Sequence, residues 1–104
     1  MTRLVMKRLE DITKLVGTWR HEDSVVEYSI SVLGDPLTVT GIDTNDGEKL
    51  RITDVRLEGS ELRFTSTCPS TRYRLQHTLR PARGNQIEHE YIRIEKWRRV
   101  KPTK

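Results

Sequence analysis

His77 and His89 are the residues of this chain best placed to do chemistry. They fall in "TRYRLQHTLR" and "QIEHEYIRIEKWRRV", two alternating segments joined by "PARGN". A hairpin turning about Arg83 sets the two imidazoles opposite each other on one face, with Tyr73 and Tyr91 flanking them. Adjacent imidazoles can orient a polar ligand, hold a metal or bind haem iron. A metal site needs a third protein ligand, and no H-x-H or His-rich spacing supplies one, so no metal and no cofactor are expected. The plainest reading is a pair of hydrogen-bonded histidines; the reading with chemistry in it is the polar lining of a small-molecule cavity.

The remaining reactive residues make weaker cases. Cys68 stands in a loop before Pro69 and would need a base such as His77 to act as a nucleophile, whereas a free Cys is usually a small buried hydrophobe. Asp43, Asn45 and Asp46 beside Gly47 have calcium-binding residue types without the twelve-residue spacing and closing Glu of a calcium loop, so they read as a hairpin turn. Arg63, Arg72, Arg74 and Arg80 could form an outward stripe for nucleic acid. Glu88 and Glu90 face them across the last hairpin, and the outer face lacks aromatics for stacking bases, so nucleic-acid binding is not expected. No Ser-His-Asp set, paired-carboxylate site or phosphate loop is recognisable, and the chain is not expected to be an enzyme.

These side chains must be positioned by strands. From Val25 the hydrophobic period is two: Val26, Tyr28, Ile30 and Val32 alternate with Val25, Glu27, Ser29 and Ser31. Turn chemistry recurs at "LGDP", "DTNDGE", "EGSE", "TCPST" and "PARGN". Leu50 and Ile52 face inward, then Val55 and Leu57 do so with shifted parity, which predicts a bulge at Thr53-Asp54. A second parity change, from Tyr91 to Ile92 and Ile94, predicts another bulge or bend. Ahead of the strands, Leu4, Val5, Leu9, Ile12 and Val16 have helical spacing, so residues 1–16 are expected to hold one amphipathic helix packing on the domain of residues 17–104. The fold class is mainly β: an antiparallel up-and-down meander of seven or eight strands, closing into a small barrel because closure leaves no exposed edge.

The helical "ITKLV" running into Gly17-Thr18-Trp19 on the first strand, the meander, and a last strand "EKWRRV" bearing Arg98 and Arg99 resemble the lipocalin-like, or calycin, superfamily of small barrels. The resemblance implies that Trp19 closes one barrel end and that Arg98 or Arg99 packs over it. A guanidinium on an indole adds a cation–π contribution.

At 104 residues, with 34% hydrophobic and 33% charged, the chain is one domain with a modest core. Its net charge of +4 is spread over a mixed surface. The single Cys excludes an internal disulfide, and neither a signal-peptide pattern nor an apolar run of transmembrane length is present, so a soluble cytoplasmic protein without membrane contact is expected. The expected function is binding of a small, partly polar ligand inside the barrel, oriented by His77, His89, Tyr28, Tyr73 and Tyr91 against walls of Ile30, Phe64, Leu75 and Leu79. The alternative is a non-enzymatic interaction domain with a filled barrel, acting through its surface as a homodimer.

Overall fold

A computed structural model describes residues 12–32 and 37–101. Residues 12–15 form one helical turn; the rest of the predicted helix, and the "LGDP" turn, lie outside the described residues. Seven strands follow: β1 (Gly17–Trp19), β2 (Val26–Ser31), β3 (Thr38–Asp43), β4 (Arg51–Glu58), β5 (Glu61–Thr67), β6 (Arg74–Pro81) and β7 (Ile87–Ile94). All pairings are antiparallel between sequence neighbours, in a three-stranded sheet β1-β2-β3 and a four-stranded sheet β4-β5-β6-β7.

The predicted closed barrel is not formed. The two sheets are joined at one corner, by the Ile42–Lys49 bridge and the Leu50 N–H donating to the Gly41 carbonyl at 2.9 Å. Closure would require β1 to pair with β7. No such pairing exists among the described residues, and a three-residue β1 cannot span an eight-residue β7. Among the described residues β1 and β7 therefore each have a strand on one side only.

The inner faces of the sheets meet in a single core of Leu15, Ile30, Val39, Leu62, Phe64 and Leu79. Each strand contributes alternate positions, as a pleated backbone requires. Two glycines make the packing work. Gly17 has φ +137°, a conformation strained for any side chain, which lets the helical turn run directly into β1. Gly41 lies under the Tyr28 ring, where an added Cβ would meet Tyr28 Cε1 at 3.0 Å and Leu50 Cδ1 at 3.1 Å.

The bulge at Thr53-Asp54 is present: pairing passes from Thr53–Thr65 to Arg56–Arg63, and Asp54 takes φ 55°. It brings both Ile52 and Leu57 onto the inner face although they are an odd number of residues apart. The second predicted bulge is absent. The β6–β7 register runs unbroken from Pro81–Ile87 to Arg74–Ile94, so Ile92 and Ile94 stay on the outer face.

Trp19 lies on the inner face, half-buried against the core, and its indole N–H donates to the Leu15 carbonyl at 2.8 Å. It ties the helical turn to β1; with the barrel open it has no barrel end to close. Arg98 and Arg99 are exposed in the segment after β7, and the cation–π contact described is Arg93 over Tyr73, at 4.1 Å. Trp19→Ala is expected to cost about 2 kcal/mol, below the ~3–5 kcal/mol of a fully buried aromatic, and Trp19→Phe roughly half of that. Chemical denaturation of the two variants checks this.

Candidate functional site

The candidate site is built on the inner face of β5, β6 and β7, where strand alternation brings polar rings into the core. Leu62, Leu79 and His89 form one cross-strand row; Phe64, His77 and Tyr91 form the next; Ser66, Leu75 and Arg93 the third. The predicted face is therefore the observed face for His77, His89 and Tyr91, but the register differs by two residues. His77 opposes Tyr91 and His89 opposes Leu79. The two imidazoles meet along the diagonal instead, with His77 Nδ1 2.8 Å from His89 Nε2 and the rings stacked 5.0 Å apart at 13°.

His77 is 2% exposed, and each of its nitrogens has partners. Nε2 lies 2.7 Å from Ser66 Oγ and 3.3 Å from the Tyr28 hydroxyl, which itself lies 3.2 Å from Ser66 Oγ. Burial pushes the imidazole down to about 3, with His89 adding to the shift, so His77 is neutral. Burial also raises the Tyr28 phenol, keeping its proton in place as a donor.

A neutral His77 carries one ring proton, on Nδ1 toward His89 or on Nε2 toward Ser66, and its other nitrogen accepts, so Tyr28, Ser66, His77 and His89 form one connected hydrogen-bond chain. The His89 imidazole is itself shifted downward, first by burial of its stacked face and then by the nearby His21.

The connectivity Ser66–His77–His89 has the order of a nucleophile, a base and an orienting group. It lacks the energetics: a general base works best near the operating pH, and Ser66 is buried away from any substrate. What the arrangement does is satisfy every polar group in a core that contains a histidine, a serine and a tyrosine.

The rings continue outward as a ladder. Phe64 stacks on His77 at 4.5 Å, His77 on His89, and His89 on Tyr91 at 5.4 Å, while Tyr28 meets the edges of Phe64 and His77. The inner end is buried and the outer end reaches solvent. Tyr73 and Tyr91, predicted as cavity lining, are 55% and 61% exposed. The three-stranded sheet packs over Phe64, His77 and Leu79 and leaves the β7 side of the face open. Tyr73 emerges from the loop in which Arg72 takes φ 63° and lies beneath Arg93.

Neither of the two concavities described is lined by both histidines. One of about 380 Å³ is lined mainly by outer-face residues, among them Arg56, Arg63, Thr65, Gln76 and Glu90, together with Phe64, His77 and Tyr91. Another of about 380 Å³ is an apolar groove between Ile12, Val32, Leu37, Val55 and Leu57.

The other reactive residues have structural partners. Cys68 donates through Sγ to Glu48 at 3.0 Å, and Glu48 also accepts from the Ser70 N–H at 3.1 Å and hydroxyl at 2.7 Å. The Cys68 and Ser70 hydrogen bonds hold the Glu48 carboxyl below its usual range, and the carboxylate clasps the 68–70 loop to the 43–48 hairpin. His77 faces Ser66 and Tyr28, so it is not a base for Cys68. Residues 43–48 form the hairpin turn, closed by the Gly47 N–H donating to the Asp43 carbonyl at 2.8 Å. On the outer face Arg63 pairs with Glu61 at 3.1 Å and Glu58 at 3.4 Å, and Arg80 pairs with Glu61 and Glu90. Among the described residues no group of three or more His, Cys, Asp or Glu converges to hold a metal, and no helix is long and apolar enough to cross a membrane.

Two members of the site escaped the sequence reading. Ser66 has the same parity as Leu62 and Phe64, and extending that strand by one inward position would have found it. His21, in the β1–β2 connection, acts on His89 only through the tertiary fold. No family model matches the chain, and neither the curated proteins nor the solved structures contain a match to it.

Proposed function

We propose that this protein is a non-enzymatic binding protein for a small, planar, partly polar ligand, held at the open end of the ring ladder rather than inside a barrel. The observation that carries this reading is the exposure of Tyr91 and Tyr73 beside Arg93 and His89, above a hydrogen-bonded floor of His77, Ser66 and Tyr28. Tyr91 offers a stacking face, Arg93, which pairs through Nε with Glu95 at 3.2 Å, a charge-assisted donor, and His89 a ring hydrogen-bonded to His77 below it. Aromatic carboxylates combine those requirements. The consecutive meander and the strand formed by Gly17-Thr18-Trp19 are the features that support a lipocalin-like origin, with open edges as the departure from that pattern.

The test is titration of the protein with a panel of aromatic carboxylates, followed by the imidazole and tyrosine ring resonances. Ligands should shift His89 and Tyr91 resonances and leave those of Leu62 unchanged, and Tyr91→Ala should weaken binding about tenfold. Shifts confined to the outer-face residues Arg56 and Gln76, or none at all, would defeat the proposal.

The filled core also favours the second reading, a domain that acts through its surface. It gains force from β7, whose outward edge is unpaired among the described residues.

A further inference from the structure

Among the described residues β7 is a sheet edge of eight residues with large apolar side chains exposed: Tyr91 is 61% exposed, Ile92 65%, and Trp97 just beyond it 90%. An edge of this kind presents free backbone N–H and C=O groups to any strand that fits, and native proteins usually blunt it. Here the charge along the strand is polarised rather than blunting. Glu88 and Glu90 occupy the first half and Arg93 the second, and past the strand end Glu95 is followed by Lys96, Arg98 and Arg99. Antiparallel pairing of this strand with a copy of itself brings the acidic start of each copy toward the net basic end of the other.

The pleat restricts the registers, because paired residues must share a face. A two-fold axis at Glu90 sets that carboxylate against itself. An axis at Tyr91 sets both glutamates against isoleucines and His89 against Arg93. An axis at Ile92 leaves one such mismatch within the strand, Glu90 against Ile94, while Ile92 meets Ile92 of the second copy and Tyr91 meets Arg93; continued past the strand end, the same register brings His89 to Glu95, Glu88 to Lys96 and Ile87 to Trp97. Opposite-charge and aromatic pairs directly across an antiparallel ladder are the stabilising kind, and like charges the destabilising kind.

We infer that the protein associates with a second copy of itself through β7, antiparallel, with the two-fold axis at Ile92, so that two four-stranded sheets merge into one. An isologous contact of this kind closes on itself and uses up the β7 edge of both copies. The exposed outer-face isoleucine and the tryptophan past the strand end then have an apolar partner. The inference is independent of the ligand reading.

The test uses the full chain in a Cys68→Ser background. Sedimentation equilibrium should show a dimer at micromolar concentration, and Ile92→Lys, at an exposed site that spares the core, should weaken it at least about tenfold. Lys96→Glu should weaken it similarly, and adding Glu88→Lys should restore it, a rescue that general destabilisation does not produce. Ile92→Cys should form an intermolecular disulfide, since directly opposed residues lie within bridging distance, whereas Tyr91→Cys, displaced along the diagonal, should not. A monomer at all concentrations would overturn the inference, including one whose outward β7 amides are protected by residues 1–11. A dimer that cross-links through Tyr91→Cys would overturn the register.

Discussion

Lowering the pH from 6.5 to 5 should remove about 2 kcal/mol of folding stability through His77 alone, and a single substitution, His77→Gln, should abolish that loss. In the unfolded chain an imidazole titrates near 6.5; in the fold burial holds His77 down to about 3. Between those values the unfolded state carries one more proton than the native state, so falling pH favours unfolding by up to about 1.4 kcal/mol per pH unit. The stability is fully present above pH 6.5 and is lost progressively toward pH 3. His89, also shifted downward, acts with the same sign. The comparison belongs above pH 5, where the carboxylates Glu48 and Glu61, held below their usual range, stay ionised. Glutamine keeps hydrogen-bonding capacity toward Ser66 or His89 without a charge to gain. Denaturation curves for both proteins between pH 5 and 8 decide the matter: equal slopes would mean that His77 is not the buried neutral group.

Phe64→Ala should be the most damaging single truncation, costing on the order of 3 to 5 kcal/mol, the range for a fully buried aromatic. Phe64 is 2% exposed, lies 4.5 Å from the His77 ring at 17°, and meets Tyr28 at 5.4 Å. Its loss removes apolar burial and also opens a void against the imidazole face, which lets water approach His77. A second readout follows. The His77 titration should move upward from about 3 toward the ordinary value, because burial is the larger cause of its depression. Against a typical domain stability of about 5 to 15 kcal/mol, the loss is a large share of the whole. A change below about 1 kcal/mol, or an unmoved His77, would show that Phe64 does not seal this network.

The alternating strands, the turns among the described residues and the face of most inward side chains were legible in the sequence for a physical reason. A β-strand alternates with period two, so Leu62, Phe64, Leu75, His77, Leu79, His89 and Tyr91 declare their face wherever the strand lies. The bulge at Asp54 was legible because Ile52 and Leu57 cannot both point inward without an extra residue. The same reasoning failed at Ile92. There the apolar residues on the wrong parity mark an exposed edge rather than a bend, and hydrophobicity does not distinguish the two.

The register of the last hairpin was not legible. Pairing His77 with His89 or with Tyr91 differs by two residues, leaves every side chain on the same face, and satisfies the hydrophobic pattern equally well. The turn geometry around Gly84 chose between them.

By itself, then, the sequence determined the local things: seven or eight alternating strands, most of their turns, one bulge, and a face carrying His77, His89, Tyr73 and Tyr91. The tertiary structure alone decided whether the meander closed and which residues of that face were buried. Closure depends on β1 meeting β7, a contact between the two ends of the meander that no local pattern encodes, and the three residues of β1 are too few to make it. Burial depends on how far the smaller sheet reaches across the larger one. It covers His77, which becomes a neutral part of the core, and stops short of Tyr91, which becomes surface. Two residues with the same alternation and adjacent strands thus differ in chemistry because of coverage, a property of the assembled layers and not of either strand.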